Sequence, residues 1–340
     1  MDFSKVISFE SLYKAHRRAR LGKRHKKEVV LFEANLSENL WELHNQLKDK
    51  TYSVGGYHMF TIHDPKEREI QAISYRDRVV QHSLCDNYLS PLLERHLIYD
   101  NAACRKNKGS SFAIKRLKHF MCEHYKKHKT NGYFVKIDVK KYFASVSHSL
   151  TKQKLAKIAL DKDCYNLLCS ILDSYNLNEG KGLPMGNQSS QCLALLYLND
   201  FDRYYKEKLQ IKYYIRYMDD IIMLVPTKEI AKKCLFEANR LLTKEKLMIN
   251  PKSKILPVKN GMEFLGWNFK LLPTGKILQK LRKSTKKRIV KKVKLLFYQT
   301  TNNILPQFKK QESLTSYKGL FLKGNTHLFY NNLVEYLHMA

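Results

Sequence analysis

Tyr213-Tyr-Ile-Arg-Tyr-Met-Asp219-Asp220-Ile-Ile-Met-Leu-Val225 places two apolar runs on either side of adjacent aspartates. Few folds accept that arrangement. The runs are short, β-branched and aromatic, so they read as two strands joined by a tight turn. Two carboxylates at a hairpin tip repel each other unless a divalent cation sits between them. A further acid, Asp138, closes a similar run at Tyr133–Ile137. Charge beside apolar strand ends costs several kcal/mol unless a metal or a partner compensates. If hairpin and strand share one antiparallel sheet, Asp138 and Asp219 face a common point with Asp220 beside them. That set suits two Mg²⁺ ions, which take oxygen ligands and keep positions open for phosphate. Taken alone, Asp138 reads more readily as a turn or cap residue than as a catalytic one.

The acids stand out against a strongly basic background. The 340 residues carry 62 Lys+Arg against 31 Asp+Glu, a formal charge of +31, which calls for a polyanionic partner. With 44% hydrophobic residues and only 13 Gly and 8 Pro, the composition excludes disordered and collagen-like chains. Apolar runs are too short for a membrane span and the N-terminus lacks a signal-peptide pattern, so no membrane partner and a cytoplasmic location are expected. The seven cysteines are scattered without a C-x-x-C pair, as expected of reduced, mostly buried thiols.

Along the chain, helices are expected over 36–47, 78–93, 189–207 and 228–246, with an extended piece at 59–63. Seven Lys/Arg fall within residues 17–27. Residues 276–294 hold ten Lys/Arg and no acid on a helical apolar pattern of Ile277, Leu278, Leu281, Ile289, Val290 and Val293. Arg282, Lys283, Lys286, Lys287, Arg288 and Lys291 are therefore candidates for nucleic-acid contact. Strands alternating with helices over 131–270 indicate an α+β core.

Several blocks then resemble, in order, the motifs of reverse transcriptases. Tyr217-Met-Asp-Asp220 resembles the family signature and Asp138-Val-Lys-Lys-Tyr-Phe143 resembles motif A. Gly182-Leu-Pro-Met-Gly-Asn-Gln-Ser-Ser-Gln191 resembles motif B, while Asn250-Pro-Lys252 and Phe264-Leu-Gly-Trp267 resemble motifs D and E. Upstream, Lys66-Glu-Arg68-Glu-Ile and Asp77-Arg-Val-Val-Gln-His82 resemble the fingers blocks of bacterial members.

The resemblance implies a right-hand polymerase fold, with fingers and an N-terminal extension over 1–130 and an antiparallel-sheet palm over 131–268. A fingers segment would interrupt the palm at about 150–181, and a short helical, basic thumb would follow over 269–340. It implies RNA-directed DNA synthesis with Mg²⁺, or Mn²⁺, held by Asp138, Asp219, Asp220 and the Val139 carbonyl. Lys66 and Arg68 would grip the triphosphate, and Phe143 would exclude a 2′-hydroxyl. Met185, Gly186 and Gln188 would face the nucleotide, and Lys252 would assist proton transfer to pyrophosphate. The partners implied are template RNA, a primer and its cDNA, and dNTPs.

Met185 stands where retroviral and group II intron enzymes carry Gln. The Gly-Asn-Gln-Ser-Ser-Gln continuation and Ala103-Cys-Arg-Lys-Asn-Lys-Gly109 resemble diversity-generating retroelement enzymes, whose copying is error-prone. That relation implies a bacterial cytoplasm, a structured noncoding RNA and a small accessory protein. Two other readings stay open: an anti-phage defence reverse transcriptase working with a noncoding RNA, and a non-catalytic RNA-binding protein on a polymerase scaffold.

Overall fold

The computed structural model describes residues 2–63, 67–175, 180–326 and 328–333. Two strands, β1 (Tyr57–Ile62) and β2 (Arg68–Ile73), pair antiparallel from Tyr57 opposite Ile73 to Ile62 opposite Arg68. Four more, β3 (Tyr133–Ile137), β4 (Tyr213–Tyr217), β5 (Asp220–Val225) and β6 (Lys254–Pro257), form one sheet in the order β4-β5-β3-β6. β4 and β5 are near-continuous apolar runs because nearly every residue is buried, on both faces of the pleat. A separate meander contains β7 (Met262–Phe264), β8 (Trp267–Leu271) and β9 (Ile277–Leu281).

The chain divides into two compact units. One comprises residues 1–109, 137–221 and 236–253, and the other 110–136, 222–235 and 254–340. In the first, the helix Phe9–Ala19 starts at Ser8, whose hydroxyl accepts the Ser11 N–H at 3.3 Å. Its residues Leu12, Ala15, His16 and Ala19 recur at helical spacing and are buried. The Tyr75 hydroxyl, at the start of the helix Tyr75–Leu84, meets His16 Nδ1 at 3.0 Å. Asp77, fully buried, accepts from Tyr52 Oη at 2.7 Å, Ser74 Oγ at 2.8 Å and the Gly55 N–H at 2.9 Å. The helix Gln188–Tyr197 is buried on nearly every side, so its sequence lacks a polar stripe.

In the second unit, β3 begins after a position that only glycine can fill. Gly132 has φ +119°, and a Cβ there would lie 2.6 Å from His124 Nε2 and 2.8 Å from the Val225 carbonyl. Its helices are Ser110–His128, Lys283–Thr301 and Gln307–Phe321 among others.

Three expected helices differ in the structure. The 78–93 segment is Tyr75–Leu84, a π-helical turn Cys85–Leu89 and Ser90–His96. The 189–207 segment is Gln188–Tyr197, Asn199–Arg203 and a π-helical turn Tyr204–Lys208. In both, the apolar spacing survives while the hydrogen-bond register slips. The 276–294 helix is corrected more deeply. Ile277, Leu278 and Leu281 belong to β9, which pairs with β8 from Trp267 opposite Leu281 to Leu271 opposite Ile277, and the helix starts at Lys283. The Pro273-Thr-Gly275 turn closes that hairpin through the Leu272 N–H to Lys276 carbonyl bond at 2.9 Å. Among the described residues no helix is long and apolar enough to cross a membrane. All seven cysteines are free thiols; Cys85, Cys164, Cys192 and Cys234 are buried while Cys104 and Cys122 are exposed.

Candidate active site

Asp138 directly follows β3 and is held through its backbone. Its N–H donates to Ser253 Oγ at 3.0 Å, and its carbonyl accepts the Asn250 N–H at 2.8 Å. One residue on, Val139 lies opposite Ile249, and the flanking bond runs from the Lys140 N–H to the Met248 carbonyl at 2.9 Å. Bonds on both sides of the Val139/Ile249 pair make it a non-hydrogen-bonded pair. The Val139 carbonyl therefore points away from residues 248–250.

Asp219 and Asp220 sit on the β4–β5 hairpin, whose turn is Met218–Asp219. Met218 has φ +56°, a conformation that costs a side-chain-bearing residue energy and persists only where its surroundings impose it. Here Arg216 imposes it. Fully buried, Arg216 donates from Nη1 to the Met218 carbonyl at 3.1 Å, from Nη2 to the Leu195 carbonyl at 2.9 Å, and from Nε and Nη2 to Asp202, each at 2.7 Å. Tyr214 Oη also donates to Asp202, at 2.5 Å. Burial works to lower the Arg216 pKa, but the Asp202 carboxylate outweighs it and the guanidinium is held firmly charged. Burial, and then Asp202, push the Tyr214 hydroxyl up, so it stays protonated as a donor. Sequence reading passed over Asp202 and Ser253. Asp202 lies in an ordinary helical stretch, and its only signal was an acid about three turns upstream of a strand that carries a lone Arg.

The motif B loop is tied to the segment after Asp138. The Leu183 N–H donates to the Phe143 carbonyl at 2.7 Å, and the Gly182 N–H to the Val146 carbonyl at 2.8 Å. Gly182 and Gly186 have φ +100° and +106°, so the loop needs glycine at both ends. Phe143 and Met185 are half-buried and Gly186 is exposed, whereas the neighbouring Tyr142 is buried and donates to the Ala194 carbonyl at 2.5 Å. Gln188 Nε2 is turned to Asp86 at 3.1 Å. Asn187 is the cap residue of the helix, and Ser189 Oγ donates to Gln81 Oε1 at 2.9 Å. Lys252 is exposed within a turn whose Lys252 N–H donates to Asn250 Oδ1 at 3.1 Å. Arg68 opens β2, and Lys66 lies outside the described residues.

In the other unit, Arg282 precedes the helix Lys283–Thr301 and pairs with Glu263 at 2.9 Å. Lys283, Lys287, Arg288 and Lys291 are exposed, Ile289 and Val293 are buried, and Lys286 lies over the Phe329 ring at 4.9 Å.

Among the described residues no group of three or more His, Cys, Asp and Glu is arranged to hold a metal ion. The donor set of Asp138, Asp219, Asp220 and the Val139 carbonyl is made of hard oxygens, which fits Mg²⁺ or Mn²⁺ and no thiophilic metal.

The family model described as reverse transcriptase (RNA-dependent DNA polymerase) matches residues 59–269. The chain belongs to the reverse transcriptase family, whose members are nucleotidyltransferases that generally use divalent metal ions. No curated protein matches the sequence. Among solved structures, telomerase from Candida albicans in complex with a TWJ fragment of telomeric RNA is similar, at 12% identity and TM-score 0.50, covering 88% of this chain and 63% of that one. Apo telomerase from Candida tropicalis truncated from its C-terminal domain is 16% identical over 69% of this chain and 59% of that one, at TM-score 0.48. This chain thus spans less than two thirds of either. The fold is the α+β, right-hand polymerase fold of its family.

Proposed function

We propose that this chain copies RNA into DNA by nucleotidyl transfer at Asp138, Asp219 and Asp220. The observation that carries the reading is the β4–β5 hairpin, whose turn, bonded to Arg216, carries Asp219 and is followed directly by Asp220, in the same sheet as β3, which Asp138 directly follows. A protein that only binds RNA gains nothing from carboxylates at the strand ends of such a sheet, where phosphates would come. Asp138, Asp219 and the Val139 carbonyl would hold the ions, with Asp220 beside them. Bound there, divalent cations supply Lewis-acid activation of a primer 3′-hydroxyl and charge neutralisation on the departing pyrophosphate.

The remaining roles belong to this chain's own side chains. Phe143 packs where a ribose 2′-hydroxyl would clash and so selects dNTPs. Lys66 and Arg68 hold the triphosphate, and Lys252 donates a proton to pyrophosphate. Residues 1–130 and 150–181 act as extension and fingers, 131–268 as palm and 269–340 as thumb, whose basic helix holds the template–cDNA duplex through its phosphates. Met185 cannot make the hydrogen bonds of a glutamine, which weakens geometric selection of the incoming base. This supports mutagenic copying in a bacterial diversity-generating retroelement, in the cytoplasm, with a structured RNA and a small accessory protein.

The test is dNTP incorporation on a primed RNA template with Mg²⁺, for wild type and Asp219→Asn, with the products sequenced. Synthesis reduced about 10²-fold or more in the variant, with errors concentrated opposite template adenine, is the expected result. Equal incorporation by both proteins overturns the assignment of the acids. Uniform, low error overturns the retroelement role.

A further inference from the structure

The helix His148–Ala156 buries His148, Thr151, Lys154 and Leu155 at helical spacing, so a lysine stands in an inward stripe that ordinarily takes an apolar residue. Lys154 is 9% exposed. Its Nζ donates to Glu245 Oε1 at 2.9 Å and to Asp200 Oδ2 at 2.6 Å. The two acids are not equivalent, since the Glu245 side chain is 14% exposed and that of Asp200 63%. Solvent screens the second pair, which leaves the first to hold the lysine in place.

A buried ion pair is a costly way to join two elements. Ordering the lysine and desolvating its ammonium both oppose it, and apolar side chains of similar volume commonly serve stability as well. What the pair adds over an apolar contact is one defined placement of Glu245.

Glu245 passes that placement on. It follows the helix Lys228–Lys244, which closes where the Leu247 N–H donates to the Leu242 carbonyl at 2.8 Å and Lys246 takes φ +56°. The Glu245 carbonyl accepts from Tyr197 Oη at 2.7 Å. That hydroxyl in turn accepts, at 3.3 Å, the N–H of Ser147, the cap residue of the helix that carries Lys154. Glu245 is thus tied to one helix twice, by its side chain directly and by its backbone through Tyr197. From this anchor the chain continues to Met248, whose carbonyl accepts the Lys140 N–H at 2.9 Å, and to Asn250, whose N–H donates to the Asp138 carbonyl at 2.8 Å. Ser253 Oγ then takes the Asp138 N–H at 3.0 Å. Both backbone groups of Asp138 are therefore engaged by the segment that begins at Glu245.

We infer that Lys154 is a positioning residue for Asp138: through Glu245 it sets where residues 245–253 lie, and those residues set the strand end that carries the carboxylate. The inference rests on the nucleotidyl-transfer reading of Asp138.

The test makes two measurements on the full chain, comparing wild type with Lys154→Met, Lys154→Arg, Glu245→Gln and Lys152→Met. Lys152 pairs with Asp173 at 2.6 Å on the surface of the same helix and controls for the loss of a helix charge. The first measurement is residue-resolved hydrogen exchange in EDTA without substrate. Lys154→Met should speed exchange at the Asp138, Lys140 and Asn250 amides by about tenfold or more, Lys154→Arg should largely restore it, and Lys152→Met should leave it as in wild type. The second is steady-state dNTP incorporation on a primed RNA template with Mg²⁺. Lys154→Met should lower kcat by about tenfold or more with KM for dNTP held within about twofold, the signature of a misplaced reacting group rather than of lost substrate binding. Glu245→Gln keeps an oxygen acceptor for Lys154 and should fall between wild type and Lys154→Met in both measurements; it carries the test if Lys154→Met does not fold. The inference is overturned if exchange at these amides matches wild type in the Lys154→Met and Glu245→Gln proteins, if exchange rises while kcat stays, or if Lys152→Met produces the same changes. If wild type incorporates nothing while exchange still responds to Lys154→Met, the coupling stands and the polymerase reading alone fails.

Discussion

Arg216 reaches past its own strand to the Met218 carbonyl, 3.1 Å from Nη1, and so fixes the turn that carries Asp219. The guanidinium can do this only because Asp202 neutralises it inside the protein, where both side chains are fully buried. Replacing Asp202 with Ala leaves that charge unpaired. A loss of about 3–5 kcal/mol is expected in urea unfolding, with a smaller loss in the double variant Asp202→Leu/Arg216→Met, which removes both charges. Equal losses in the single and double variants would disprove the pairing argument.

Ser253 anchors the other half of the site. Ser253→Ala removes the acceptor for the Asp138 N–H and frees that backbone to shift. Stability should fall by about 1 kcal/mol and kcat for dNTP incorporation by roughly 10- to 100-fold, with Ser253→Thr restoring most of the rate. A variant with unchanged kcat would show that the clamp does not position Asp138.

Phe143→Ala opens the space assigned to the 2′-hydroxyl. Incorporation of rNTPs relative to dNTPs should rise by about 10-fold or more, measured as a ratio of kcat/KM values. An unchanged ratio would return Phe143 to the role of a packing aromatic.

Gly132→Ala tests the start of β3. A left-handed φ and a Cβ 2.6 Å from His124 Nε2 leave no accommodating move, because the other contact is the Val225 backbone. The melting temperature should drop by the equivalent of about 2–4 kcal/mol.

His16 sets an acid limit on stability. Burial lowers its pKa in the folded chain, and the Glu33 carboxylate at 3.3 Å only partly offsets this. The unfolded chain therefore takes up the proton first. The His16 contribution is complete above the unfolded value of about 6.5 and is lost as pH falls from there through the folded value. Melting temperatures from pH 8 to 5 should decline below about 6.5, less steeply in His16→Gln.

The strands that carry the acids were legible because their apolar runs are unbroken and bounded by charge, and the order of the motif blocks supplied the fold. Helix registers were less so. The π-helical turns at Cys85–Leu89 and Tyr204–Lys208 leave apolar spacing almost unchanged, and β9 satisfied a helical pattern until its pairing with β8 decided otherwise. The least legible residues were Asp202 and Ser253. Neither belongs to a periodic pattern, and their importance exists only once distant segments meet.

The bond between Asp138 and Ser253 spans 115 positions of sequence. A growing chain has therefore made all three aspartates before the segment that fixes the first of them is added. Nascent and prematurely terminated products carry the acids without the frame. Catalytic competence is in this sense a late event of biosynthesis, reached only when long-range closure completes the domain.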